Sequence, residues 1–398
     1  MDITITPGKL HGTIAAISSK SQAHRLLICA AFADKETHLN CSDTNRDIEA
    51  TVDCLNALGA EIKRTQNGYN VLPICNVPKT ATLNCHESGS TLRFMLPIVG
   101  ALGVDATFLL SGRLPQRPLS PLWEEIGRMG CHLSRPTDDT IRCQGKLRSG
   151  IFSIAGNVSS QFITGLLFAS ALMAGDSRIE IIGALESKPY VEMTQQTLTQ
   201  FGVDTAGYEV KGRQIFSSPR DMMVEGDWSN GAFWLAAKAL GCPLEVTNLR
   251  TDSLQGDREV VNFLHALNYQ IRIDGAQTPD LIPILAIVAG AKQGSTFVNC
   301  GRLRLKETDR LETTAAMIRA LGGWAEIIGD SLIVKGTGFR GGTVDAKGDH
   351  RIAMSAAIAA TVSTGPVTVL NAHEVKKSYP GFWEDYEKLG GKYELYLR

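Results

Sequence analysis

The sequence predicts an α/β protein of two similar domains, each made of three repeated units. Three observations carry this reading. The chain has 398 residues, too many for one ordinary core. Helical stretches end repeatedly in an apolar residue followed by glycine, at Gly59, Gly130, Gly202, Gly322 and Gly390, and then give way to a short β-like run. Between these endings lies, each time, one further helical stretch. Glycine readily accepts the left-handed conformation that terminates a helix, and asparagine is next best. A sixth ending, Ala266–Leu267–Asn268, therefore joins the series with Asn268 in the glycine role.

The intervening helices read as Gln22–Ala33, Ser90–Leu102, Ser160–Ala174, Asn230–Leu240, Leu281–Ala291 and Arg351–Val362. Short strands such as Thr107–Leu110, Arg178–Ile182 and Ser331–Val334 separate them. The result is about twelve helices in six units of about 65 residues, a period longer than the common solenoids. Six such units fall into two domains of three. We place the crossover near Val224–Gly226. A cleft between such halves is the default ligand site.

Composition narrows the function. Apolar residues make up 43% and charged residues 20%, with a net charge of −1, so no bulk nucleic-acid or membrane-surface binding is expected. No apolar run reaches membrane-span length, and the N-terminus lacks the pattern of a signal peptide. The nine cysteines are scattered without a C-x-x-C pair, as expected of reduced thiols in the cytoplasm. The eight histidines show no metal-ligand spacing, so no metal is expected.

Cations nevertheless gather where helices begin. Lys306-Glu-Thr-Asp-Arg310 precedes the helical pattern Leu311, Ala315, Met317, Ile318 and Leu321, with Thr308 placed to cap it. Ser18–Ser19–Lys20–Ser21 and Arg25 follow the strand-like Gly12–Ile17 and open another helix. They lack the glycine spacing of a nucleotide-triphosphate loop. Glu87-Ser-Gly-Ser-Thr-Leu-Arg93 stands at a third junction, where Gly89 admits close approach of an anion to backbone and Arg93 offers a planar fork. Arg117 has its backbone fixed by Pro115 and Pro118. Ser159–Ser160–Gln161, Gly348-Asp-His-Arg351 and Lys376–Lys377 complete the set. Helix N-termini favour anions. A neutral chain with cations concentrated there suits a small, multiply anionic substrate.

The ordered set resembles the 5-enolpyruvylshikimate-3-phosphate synthase family along nearly the whole chain. Its marks are Ser19-Lys-Ser-Gln-Ala-His-Arg25, Ser88-Gly-Ser-Thr-Leu-Arg93, Gln116-Arg-Pro-Leu119, Ser159-Ser-Gln161, Ser187-Lys-Pro-Tyr190, Gln255-Gly-Asp257, Lys306-Glu-Thr-Asp-Arg310, Asp349-His-Arg351 and Lys377-Ser-Tyr-Pro380. The resemblance implies two domains of three βαβαββ-type repeats with an interdomain active-site cleft, residues 14–225 forming one domain and 1–13 plus 226–398 the other. It implies transfer of an enolpyruvyl group from phosphoenolpyruvate to the 5-hydroxyl of shikimate 3-phosphate, with release of phosphate and without a cofactor. Partners would be these small anionic substrates, with no nucleic acid and no membrane, and the chain a monomer.

Residue by residue, the resemblance implies that Lys20 contacts both substrates. Ser21, Arg25, Ser159, Ser160, Gln161, Ser187, Asp280 and Lys306 would hold shikimate 3-phosphate. Gly89, Arg93, Arg117, Gln161, Arg310, Arg351 and Lys377 would hold phosphoenolpyruvate. Asp280 would take the hydroxyl proton and Glu307 would protonate the methylene carbon. Glu87 and Arg302 stand where the family commonly has Asn. A carboxylate facing an anion needs a neutralising partner, and Lys20 or Arg117 is expected beside Glu87. The related transferase acting on UDP-N-acetylglucosamine carries a Cys before its Arg-Pro, and none lies between Ser111 and Gln116. A non-catalytic anion-binding module, or a relative of RNA 3′-phosphate cyclases, would not need both Asp280 and Glu307.

Overall fold

The computed structural model of the chain describes residues 1–396. Its contacts divide it into one unit, Ser18–Val224, and a second formed by Met1–Ile17 together with the chain from Glu225 onward. The first unit holds six α-helices: α1 (Lys20–Ala31), α2 (Arg46–Ala57), α3 (Gly89–Leu102), α4 (Leu122–Arg128), α5 (Ser160–Leu172) and α6 (Lys188–Gln200). The second holds α7 (Trp228–Ala239), α8 (Val260–Ala266), α9 (Ile282–Ala291), α10 (Arg310–Ala320), α11 (His350–Ala359) and α12 (Phe382–Lys388).

The repeat is most complete in the middle of each unit. Strands Thr80–His86, Asp105–Leu110, Thr140–Gly145 and Cys131–Ser134 lie side by side in that order. The first pair is parallel and the next two pairs antiparallel. Ile271–Asp274, Ser295–Val298, Ser331–Lys335 and Trp324–Ile328 repeat the same pattern. A parallel pair needs a crossover, which α3 and α9 supply, whereas the antiparallel pair closes as a hairpin. Each middle repeat therefore runs strand, helix, strand, helix, strand, strand.

Other repeats borrow strands from afar. Asp2–Thr6 runs antiparallel to both Val367–Leu370 and Lys392–Tyr396. Gly12–Ala15 pairs in parallel with Leu244–Thr247, and Asp227 N donates to the Ile17 carbonyl at 2.7 Å. Residues 14–17, assigned from sequence to the first domain, therefore travel with the second unit.

The five helix-ending glycines all take positive φ, from 77° at Gly202 to 114° at Gly130. Asn268 departs from expectation, since it is absent from the positive-φ residues. Its side chain closes the turn instead, donating to the His265 carbonyl at 2.9 Å.

Each unit has its own apolar core. The helices that cross each core, α3, α5 and α9, are buried nearly all round, which is why their sequences lack an amphipathic stripe. In the second unit Trp234 stacks on Phe382 at 5.1 Å, and Tyr379 meets both edge-on. Among the described residues no helix is long and apolar enough to cross a membrane.

Helices α3 and α5 approach at one residue. Pro97 lies inside α3 and cannot donate to the carbonyl of Arg93, four residues earlier. Gly165 of α5 packs against that carbonyl, so closely that a side chain there would overlap the Arg93 oxygen and crowd the Pro97 ring. Gly165→Ala should destabilise the protein by about 1–3 kcal/mol through overpacking. Urea denaturation checks this, and a midpoint unchanged from the parent would contradict it.

Candidate active site

In the second unit the charged run 306–310 does not lie on the surface. A 3-10 turn, Gly301–Leu305, delivers it to the head of α10. Asp309 is the N-cap and accepts from Glu312 N at 3.2 Å. This corrects the expectation that Thr308 caps the helix. The Thr308 hydroxyl donates instead to Asp349 Oδ2 at 3.1 Å, and Arg304 braces Asp309 at 3.0 Å.

Arg310 is the centre of this cluster, with its side chain only 1% exposed. Nε donates to Asp349 Oδ2 at 2.8 Å, Nη1 to Asp280 Oδ1 at 2.7 Å and Nη2 to Glu307 Oε2 at 2.5 Å. Asp349 is the N-cap of α11 and has no exposed surface. Asp280 enters from the 3-10 turn Pro279–Leu281 ahead of α9. Lys306 Nζ lies 3.0 Å from Asp280 Oδ1, and Arg351 donates to the Asp280 carbonyl at 3.2 Å and to Oδ2 at 3.4 Å. Lys377 Nζ stands 4.0 Å from Glu307 Oε1. The six residues expected from sequence in this unit are thus brought together.

Three carboxylates (Asp280, Glu307, Asp349) are paired with four cations (Lys306, Arg310, Arg351, Lys377), each pair within 4.0 Å. Burial disfavours ionisation of Asp280, yet Arg351, Lys306 and Arg310 outweigh it and hold the carboxyl well below the usual range. Its side chain keeps 28% of its surface exposed, so the carboxylate remains open to a ligand. Burial pulls the Lys306 ammonium down to about 8, opposed by Asp280 and assisted by Arg310 and Arg302.

In the first unit a second group forms on the N-termini of α1, α3 and α5. Lys20 Nζ lies 2.9 Å from Asp47 Oδ2, in the first turn of α2. Arg25 is buried among neutral oxygens: Thr194 Oγ1 at 2.8 Å, the Ser21 carbonyl at 2.6 Å and the Tyr190 carbonyl at 2.8 Å. Burial lowers its pKa to about 10, with Tyr190 and Cys29 acting against the shift. Its guanidinium also lies 5.3 Å over the Phe94 ring.

Arg93 Nη1 donates to Gln161 Oε1 at 2.8 Å, and Gln161 Nε2 donates to Ser90 Oγ at 2.8 Å. The amide is thereby oriented from α3. Arg117 follows the 3-10 turn Leu114–Gln116 in extended conformation ahead of Pro118. The guanidinium groups of Arg93 and Arg117 converge on Gly89, where an added Cβ would lie 2.9 Å from Arg93 Nη1 and 2.8 Å from Arg117 Nη1. A side chain there would have to displace both guanidinium groups. Ser159 caps α5, Ser160 begins it, and Ser187 is a buried left-handed residue at the head of α6. Glu87 packs its carboxylate over the Cα of Gly112, where any side chain would collide with it.

Sequence reasoning missed Asp47 and gave no role to Asp257, which it quoted only within Gln255-Gly-Asp257. Asp47 was detectable only as an acid in a capped first turn, 27 residues from Lys20. Asp257 has no exposed surface and accepts from Ser229 Oγ. Burial and the neighbouring Asp280 push its pKa up to about 6, against the pull of Arg351. Among the described residues no group of three or more His, Cys, Asp or Glu is placed to hold a metal ion.

Asp349→Asn should destabilise the protein by about 3–5 kcal/mol, because it replaces the most deeply buried carboxylate partner of Arg310 with a neutral amide. Chemical denaturation reads this directly, and a loss below about 1 kcal/mol would show that Arg310 is held by its other carboxylates alone.

The model of the EPSP synthase (3-phosphoshikimate 1-carboxyvinyltransferase) family matches residues 5–278 and 270–386. A 3-phosphoshikimate 1-carboxyvinyltransferase of Clostridium kluyveri is 40% identical, over 98% of this chain and 97% of its own length. One of Clostridioides difficile is 37% identical, over 98% of each. The fold is similar to an EPSP synthase structure from Acinetobacter baumannii, with a TM-score of 0.81 at 21% identity, covering 99% of this chain and 100% of that one. It is also similar to an enolpyruvyl transferase of Streptomyces tendae, with a TM-score of 0.76 at 17% identity, covering 99% and 98%. The full-length family match and the 40% identity establish that the chain belongs to the EPSP synthase family.

Proposed function

We propose how this chain carries out the family reaction, transfer of the enolpyruvyl group of phosphoenolpyruvate to the 5-hydroxyl of shikimate 3-phosphate with release of phosphate. The observation that carries the assignment is the Arg310 cluster, which sets two partly exposed carboxylates, Asp280 and Glu307, among the cations Lys306, Arg310, Arg351 and Lys377. We assign Lys20, Ser21, Arg25, Ser159, Ser160, Gln161, Ser187, Asp280 and Lys306 to shikimate 3-phosphate. We assign Lys20, Gly89, Arg93, Arg117, Gln161, Arg310, Arg351 and Lys377 to phosphoenolpyruvate. Arg25, buried without a carboxylate among its hydrogen-bond partners, is suited to a phosphate.

The bond changes need an acid and a base. The substrate hydroxyl oxygen attacks C2 of phosphoenolpyruvate while its proton passes to Asp280. Glu307 gives a proton to C3, which becomes a methyl group. The tetrahedral carbon then carries carboxylate, phosphate and the new ether. Phosphate then leaves and takes the proton held by Asp280, while one methyl proton returns to Glu307, which restores the double bond. Fixed cations stabilise the charge that develops at that carbon.

The cluster also explains how two ion-paired carboxylates can exchange protons. While Arg310, Lys306 and Arg351 face Asp280, it is a weak base. Anionic substrates engage those same cations and reduce their hold. The proton affinity of Asp280 then rises when the substrates are present. We further read the chain as a monomeric cytoplasmic enzyme. Its nine cysteines are all free, as in a reducing compartment.

Two measurements test this reading. Phosphate release should require phosphoenolpyruvate and shikimate 3-phosphate together, and neither unphosphorylated shikimate nor UDP-N-acetylglucosamine should replace the latter. Glu307→Gln should lower kcat by at least about two orders of magnitude, the scale of general acid catalysis. Equal release with the nucleotide sugar would overturn the assignment. The second measurement is a pH profile. Lys306 is charged below its pKa of about 8 in the free enzyme, so kcat/KM for shikimate 3-phosphate should be level below that pH and fall above it. Lys306→Arg should lose this alkaline limb. A wild-type profile flat to about pH 10, the ordinary lysine range, would remove Lys306 from the binding step.

A further inference from the structure

We propose that His24 is a positioning residue that acts through Thr51 and Thr91 to fix the Ser88 hydroxyl and, with it, the Gly89 backbone that receives phosphoenolpyruvate. This rests on the reading that Gly89 and Arg93 bind that substrate. His24 lies on α1 between Lys20 and Arg25, is 1% exposed and touches no part of the cation cluster by hydrogen bond. Its Nδ1 is 2.7 Å from Thr51 Oγ1 on α2, and Thr51 Oγ1 is 2.7 Å from Thr91 Oγ1 on α3. Thr91 Oγ1 donates to Ser88 Oγ at 2.7 Å, and Thr91 N donates to the same oxygen at 3.3 Å. Ser88 is the N-cap of α3, directly before Gly89.

Proton counting gives the chain one direction. Thr91 has a single hydroxyl proton, and its short contact is to Ser88, whereas the alternative acceptor, the Asp47 carbonyl, is 3.4 Å away. Thr91 must then accept from Thr51. Thr51 has spent its own proton and must accept from His24. The imidazole is therefore neutral with its proton on Nδ1. The other ring nitrogen, Nε2, is buried and has no hydrogen-bond partner among the described residues. A second proton there would have nowhere to go. Burial, with Lys20 and Arg25 on the same helix, pushes the ring pKa down to about 3, and Asp47 on α2 alone opposes it. Ser88 Oγ accepts two hydrogen bonds and is fixed at the mouth of the Gly89 turn. One buried chain thus ties three helices to the residue on which Arg93 and Arg117 converge.

A structural role alone would lower stability without separating the two substrates, so the test reads both KM values. Thr51→Val, which keeps the volume and removes the middle link, should raise KM for phosphoenolpyruvate about 3- to 10-fold, the scale of one lost hydrogen bond. KM for shikimate 3-phosphate should stay within about twofold. His24→Leu should behave alike, and His24→Asn, which returns an N–H near Nδ1, should restore the parent value. Nitrogen-15 NMR of the imidazole should show the Nδ1–H tautomer from about pH 5 to about pH 8. Unchanged KM values in Thr51→Val, equal rises for both substrates, or an Nε2–H tautomer would each overturn the proposal. Arg93→Gln is the control. If it leaves KM for phosphoenolpyruvate unchanged, the underlying binding assignment fails. If it raises that KM while Thr51→Val does not, only the His24 chain fails.

Discussion

The second unit is organised around one buried guanidinium. Arg310 cannot shed its charge, so its burial demands carboxylates from other parts of the chain. Asp280, Glu307 and Asp349 answer that demand from a turn before α9, the approach to α10 and the head of α11. Three helices are thereby fixed at their N-termini around a single group. The same arrangement holds carboxylates and cations side by side. Neither set would be tolerable alone in so dry a place.

The first unit solves a related problem differently. Arg25 is surrounded by neutral oxygens and an aromatic face. Its charge remains available to an anion, at the cost of a lowered pKa. Arg93 and Arg117 are packed against a glycine that cannot be enlarged without moving them. In the proposed reaction these groups would be held ready before substrate arrives, which is the condition under which electrostatic stabilisation is effective.

The sequence made much of this legible. The glycine-terminated helices marked the repeat, because only positive φ closes those ends cheaply. The cations at strand-to-helix junctions marked the residues that the structure gathers around Arg310 and Gly89, because helix N-termini are where such groups collect. Residues that act on other residues were harder to see. Asp47, Thr51 and Thr194 lie far along the chain from the side chains they hold. The Thr308 cap was misread because a local rule could not anticipate that Asp349, 41 residues later, would claim its hydroxyl. Asn268 failed to mimic glycine because its amide found a closer carbonyl.

The central claim is that the cations around Arg310 hold Asp280 ionised until substrate anions engage them. Carboxyl carbon NMR of Asp280, followed against pH with and without both substrates, tests it most directly. In the free protein the resonance should stay that of a carboxylate well below the ordinary aspartate value of about 3.9. With ligands bound its midpoint should move upward. A midpoint near that ordinary value in both states would contradict the account.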